Sequence, residues 1–187
     1  MRLPVLAAML PMMFMPFAAM ATDIKTAHVF TFRSIEGSPL PLSSFKGKTV
    51  LVVNTASRCG FTRQYGDLQT VWTRYRDRGL LVLGVPSNNF GNQEPGTAAE
   101  IKNFCEVNFD VDFPIADKVH VKGKKAHPFY RWAAKQLGPK AKPRWNFQKY
   151  LIAPDGTLVA WFSTPTSPTS SKVTRTIEKY LSTAPKS

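Results

Sequence analysis

Two apolar, β-branched runs with one helical stretch between them set the strongest limit on this fold. "TVLVVNTA" (49–56) and "LLVLGVP" (80–86) carry no charged residue, which suits strands covered on both faces. Between them Tyr65, Leu68, Val71 or Trp72, and Tyr75 recur at three- and four-residue spacing, with polar residues in the gaps. That spacing predicts an amphipathic helix from Phe61 to Arg78, stopped by Gly79. A strand, a helix and a second buried strand in that order imply a parallel pair joined by a right-handed crossover.

The remaining elements fit around this unit. "HVFTFRSIEGSPLPLSSFKGK" alternates weakly and carries turn residues at Glu36 to Pro39, the pattern of a small N-terminal hairpin. "SNNFGNQEPG" is an amide-rich loop. Thr97 opens "TAAE", a capping box that starts a helix reaching about Phe109. Pro128 suits the first turn of a helix ending near Leu137, with Gly138 behind it. "FQKYLIA" and "TLVAWFS" flank a Pro-Asp-Gly turn (154–156) and predict a β-hairpin. "SSKVTRTIEKYLS" closes the chain as an amphipathic helix. The fold class is therefore α/β, a thioredoxin-like order with an N-terminal β-hairpin and a mixed central sheet flanked by helices.

Residues 1–21 read differently. Arg2 is their only charge, an apolar stretch follows, and Ala19-Met20-Ala21 resembles a cleavage site. This is the pattern of a secretory signal peptide, interrupted by Pro11 and Pro16 in a way that weighs against a retained anchor. The expectation is one domain over 22–187, periplasmic or secreted. Lys and Arg number 25 against 12 Asp and Glu, a formal charge of +13. The cations come in short groups ("FKGK", "VKGKK", "GPKAKPR"), which suits a solvated basic surface, with weak membrane-surface association as the sharper alternative. An exported chain has little access to nucleic acid, and none is expected as a partner. His28, His120 and His127 have no ligand spacing, so neither metal nor cofactor is expected.

Cys59 and Cys105 are the two cysteines. In an exported chain they first suggest a structural disulfide, closing a loop of about 46 residues for roughly 4 kcal/mol. Position argues otherwise for Cys59. It follows a central strand and precedes a helix, where sites gather in open α/β sheets and where unpaired N–H groups and the helix dipole favour a thiolate. Arg58 and Arg63 add positive field. Ser57, Arg58 and Gly60 are poor core neighbours. Thr62 stands where a C-x-x-C dithiol would place its second cysteine, which argues against ordinary disulfide exchange. Gln93, Trp145 and Asn146 are neutral donors, the type that could steady a thiolate and a departing oxygen without titrating themselves.

Four stretches, "NTASRCGFT", "LGVPSNNFGNQEPG", "EIKNFC…NFDVDFPIADKV" and "RWNFQKYLIAPDG", make the chain resemble the glutathione peroxidase family over roughly residues 28 to 181. The resemblance implies a thioredoxin fold and reduction of hydrogen peroxide and organic or lipid hydroperoxides. It implies Cys59 as the peroxidatic centre, passing through a sulfenic acid, with Gln93, Trp145 and Asn146 as its supporting residues. The implied reductant is a thioredoxin-like protein or glutathione.

Departures from the family pattern qualify this. Ser87 and Asn89 replace a cysteine and a glutamine outside the catalytic set. The assembly loop of tetrameric relatives is missing before "RWNF", which resembles the short, monomeric branch. Cys105 is the candidate resolving cysteine, but relatives that resolve internally place theirs one residue later, a rotation of about 100° on a helix. A buried core thiol is the competing reading of Cys105. Two other classes stand against the enzyme: a non-catalytic exported domain with a Cys59–Cys105 bond, and a peroxide-sensing redox relay.

Overall fold

The computed structural model describes residues 25–181; the expected signal peptide lies outside them. A two-stranded antiparallel hairpin opens the fold, β1 (Thr31–Arg33) and β2 (Pro39–Pro41). Then follow β3 (Thr49–Thr55), α1 (Gln64–Tyr75), β4 (Leu80–Pro86), α2 (Ala98–Phe109), α3 (Pro128–Leu137), β5 (Lys149–Ile152), β6 (Leu158–Phe162) and α4 (Ser171–Glu178). The main sheet has the order β4-β3-β5-β6. β3 pairs parallel with β4 and antiparallel with β5, and β5 pairs antiparallel with β6. The sheet is mixed, as expected.

Every residue of β3 and of β4 is buried. Strand alternation explains how both faces are used. Leu51 and Val53 join Leu80 and Val82 under α1, α2 and α4, through Tyr65, Leu68, Ile101, Cys105, Val173 and Ile177. Val50 and Val52 join Leu81, Leu83 and Val85 on the other side, under Phe129, Tyr130, Trp132 and Ala133 of α3 and Phe30 and Phe32 of the hairpin region. Removing any one of these large side chains costs about 2–5 kcal/mol.

The helix boundaries carry the predicted chemistry. Thr97 caps α2 with a complete capping box, its hydroxyl accepting from the Glu100 N–H while the Glu100 carboxylate accepts from the Thr97 N–H. Gly79 takes a left-handed conformation, φ 90°, behind the 3₁₀ turn Arg76–Arg78. The structure corrects one boundary: the helix expected from Phe61 starts at Gln64. Residues 59–66 approach it through successive i→i+3 bonds, Thr62 to Cys59, Gln64 to Phe61, Tyr65 to Thr62 and Gly66 to Arg63. This tighter coil stands where the regular helix was predicted, and it holds the thiol.

Candidate active site

β3 delivers the site. Beyond Thr55 the chain turns, leaving Arg58 and Gly60 exposed and Cys59 between them 8% exposed. Thr62 shapes this turn. Its Oγ1 accepts from the Cys59 N–H at 2.9 Å and lies 2.7 Å from the Cys59 carbonyl and 3.1 Å from that of Ala56, both acceptors for its proton. The Phe61 N–H then points back to the Cys59 Sγ at 3.4 Å. The residue that replaces a second thiol is thus the brace of the first. Thr62→Val is expected to lower stability by about 1–2 kcal/mol, because it strands the Cys59 N–H. Peroxide kcat/KM should fall about tenfold. Urea unfolding and steady-state rates check the pair; unchanged rates would show that Thr62 does not position the sulfur.

Two loops bring amides alongside. The first, 87–96, turns through left-handed Gly91 (φ 61°) and Asn92 (φ 51°). Its Gln93 carbonyl accepts from the Arg58 N–H at 3.0 Å, which ties it to the cysteine's own turn. The second loop, before β5, carries Trp145 and Asn146. Phe147 behind them holds φ 61° while fully buried. A bulky residue in that region costs about 1–3 kcal/mol and persists only where its surroundings dictate it. Here Phe147 packs edge-on to Tyr65 at 5.4 Å and its N–H donates to the Asn54 carbonyl. The sharp turn leaves Asn146 next to Gln93, and the Asn146 Nδ2 donates to the Gln93 Oε1 at 2.8 Å.

The structure therefore brings Gln93 and Asn146 together and links both to the Cys59 turn. Trp145 stands at the rim, 39% exposed, against Phe90 at 5.7 Å. With Phe61, Ser163, Thr164 and Pro165 it lines a shallow groove of about 300 Å³ beside the cysteine turn. Cys105 is set apart from this groove. It is fully buried in α2, packed in the core, and burial pushes its thiol pKa up to about 12 against the opposing Tyr65 hydroxyl. Both cysteines are free, so the expected alternative of a structural Cys59–Cys105 bond does not describe this structure.

Sequence reasoning missed three supporting residues. Asn54 lies inside the apolar run of β3. Its Nδ2 donates to the Trp145 carbonyl at 3.0 Å and its Oδ1 accepts from the Gln148 N–H at 3.2 Å, pinning the Trp145–Asn146 loop to the central strand. A lone asparagine in a buried strand was the available signal, since such a group is retained only with partners. Lys149, in β5, is fully buried and donates to the Gln64 Oε1 at 2.5 Å and to the Thr164 and Thr166 carbonyls at 3.3 and 2.7 Å. Thr164 in turn donates to the Asn146 carbonyl at 2.7 Å. Glu94, next to Gln93, is buried with neither carboxylate oxygen hydrogen-bonded. Burial raises its pKa; Ser57 lies near enough to pull it back without completing a bond. No sequence signal separated these two from surface charges.

Comparison with known proteins bears on this arrangement. Residues 27–134 match the family model described as Glutathione peroxidase. The chain is similar to the hydroperoxy fatty acid reductase gpx1 of Synechocystis, 43% identical over 164 residues, covering 83% of this chain and 96% of the relative. It is similar to the glutathione peroxidase homolog BsaA of Halalkalibacterium halodurans, 46% identical over 156 residues, covering 82% and 98%. Among solved structures it resembles apo Trgpx, with TM-score 0.68 and 34% identity over 83% of this chain and 95% of that one.

Proposed function

The chain belongs to the glutathione peroxidase family, and from that premise we infer that it is a thiol-dependent peroxidase with Cys59 as its nucleophile. The Cys59 thiolate attacks the terminal oxygen of a hydroperoxide. The oxygen–oxygen bond breaks, the departing oxygen takes a proton and leaves as water or an alcohol, and Cys59 becomes a sulfenic acid. An external thiol then forms a mixed disulfide with Cys59 and releases water, and a second thiol frees Cys59. The hydroperoxide is reduced by two electrons and the two thiols are oxidised to a disulfide.

The observation that carries the assignment is the Asn146–Gln93 amide pair, bonded to the turn that holds Cys59. Neutral amide donors stabilise the sulfur and the departing oxygen without titrating. Trp145 supplies an indole N–H at the rim. The apolar groove of Phe61, Trp145 and Pro165 suits an organic hydroperoxide, and the similarity to a hydroperoxy fatty acid reductase supports acyl hydroperoxides as substrates.

The reductant is an outside thiol, glutathione or a thioredoxin-like protein. Cys105 is a core thiol, because its burial and raised pKa oppose the thiolate that attack on Cys59 needs. After one equivalent of peroxide, mass spectrometry should find Cys59 sulfenic acid in both wild type and Cys105→Ser. An internal disulfide in wild type alone would return the resolving role to Cys105. The apolar leader over 1–21 supports export to the periplasm or beyond, with a mature chain beginning at Thr22. The missing assembly loop supports a monomer.

A further inference from the structure

Another cavity lies between the 121–126 segment, α3 and the 142–143 loop, and the peroxidase reading does not use it. It measures about 560 Å³, within the range of small-molecule sites. Lys122, Lys124, Arg131 and Lys142 stand around it, and its lining contains no acidic residue. Its floor includes Val121 and Tyr130. Four cations around one hollow repel one another in an empty site, and an anion relieves that repulsion. Arg131 is already oriented, donating to the Ala126 carbonyl. Tyr130 is 2% exposed and packs against Tyr150 at 5.7 Å, which fixes the cavity's inner wall to the core.

The cavity is also wired to the active site. The Lys122 ammonium sits 4.7 Å from the centre of the Phe90 ring, and Phe90 lies 5.7 Å from Trp145. The ammonium is thus within about 10 Å of the indole. The Gln93 N–H donates to the Phe90 carbonyl, so the ring that Lys122 covers belongs to the same loop as a site amide. On the other edge, Lys142 is followed within three residues by Trp145.

We propose that this cavity binds the carboxylate of a fatty-acid hydroperoxide, while the acyl chain runs past Phe90 and Trp145 to Cys59. The proposal rests on the reading of acyl hydroperoxides as substrates. Cationic rim and apolar floor together match an amphiphilic anion. A wholly polar anion would gain nothing from the floor, and a neutral lipid nothing from the rim.

The test compares kcat/KM for linoleic acid hydroperoxide, its methyl ester and cumene hydroperoxide, in wild type and in Lys124→Glu/Lys142→Glu. At low salt the free acid should be favoured over the ester by about tenfold. That ratio should fall toward one in the double variant and with added salt. A wild-type ratio near one, a ratio that charge reversal leaves unchanged, or an effect confined to the KM of the thiol reductant would overturn the proposal. Occupancy is read separately, by tryptophan fluorescence of the full chain titrated with oleate. Saturable binding, weakened by the double variant and absent with methyl oleate, is expected; no binding of oleate overturns the site whatever the rates. If cumene hydroperoxide is reduced and neither linoleate substrate is, the substrate reading fails, and the oleate titration still decides the cavity.

Discussion

Cys59→Ser is expected to lose peroxide turnover by at least about a thousandfold while keeping its fold. The hydroxyl occupies the same place, 8% exposed at the edge of the core, and the Thr62 bonds to the backbone of residue 59 remain. What disappears is a polarizable, nucleophilic sulfur that can accept an oxygen. Gln93→Ala and Asn146→Ala should each cost about 10- to 1000-fold, because each removes a preorganised amide from the same cluster. Their combined loss should fall short of the product, since the Asn146 Nδ2 and the Gln93 Oε1 hold each other. Peroxide consumption with excess thiol gives the rates, and urea unfolding confirms the folded state. More than 1% residual turnover in Cys59→Ser would move the nucleophile to Cys105, the other thiol of the chain.

The second large effect is on stability, at Lys149. Its ammonium is fully buried among three acceptors, the Gln64 Oε1 and the Thr164 and Thr166 carbonyls. Lys149→Ala strands these acceptors and opens a cavity, with an expected loss of about 3–5 kcal/mol. The Thr164 loop should loosen with it, and the Asn146 carbonyl loses its fixed partner. Activity should therefore fall in a residue that touches no substrate.

Lys149 also predicts a pH dependence. Burial pushes its pKa down to about 7, with Asp67 opposing, against about 10.4 in an unfolded chain. Between these values the unfolded state holds the extra proton, so stability rises as pH rises from 7 toward 10.4. Below pH 7 both states are protonated and the full burial penalty applies. The difference across the whole window is roughly 5 kcal/mol. Urea unfolding of wild type and Lys149→Met at pH 6.5 and 9.5 isolates it, because other titrating groups are shared. Wild type should gain on the variant at the higher pH. Parallel curves would show that the amine is charged throughout and that its three acceptors outweigh desolvation.

Much of this architecture was legible in local pattern. Continuous β-branched runs announced buried strands because every side chain there meets a covered face. Thr97, Pro128, Gly138 and the 154–156 turn marked boundaries because caps and turns depend on neighbours a few residues away. Cys59 stood out for the same local reason, a thiol between a strand and a helix with Thr62 where a second thiol would be. The start of α1 was misjudged by three residues. Residues 61–63 lie in the helical sequence pattern, and the Thr62 hydroxyl, bonded back to Cys59 and Ala56, holds them in successive i→i+3 turns.

By itself the sequence determined the order of elements, the parallel unit at their centre, the place of Cys59 between a strand and a helix, and the motifs that carry the family resemblance. These follow from interactions over a few residues, or from a hydrophobic period that any compact fold must respect. The tertiary structure alone decided that Gln93 and Asn146, 53 positions apart, share one hydrogen bond, and that Asn54 and Lys149 anchor them. It also turned Cys105 into the core and gathered four scattered cations around one hollow. Those outcomes depend on which side chains meet across the sheet and between loops. Charge and residue type do not encode that until packing brings them together.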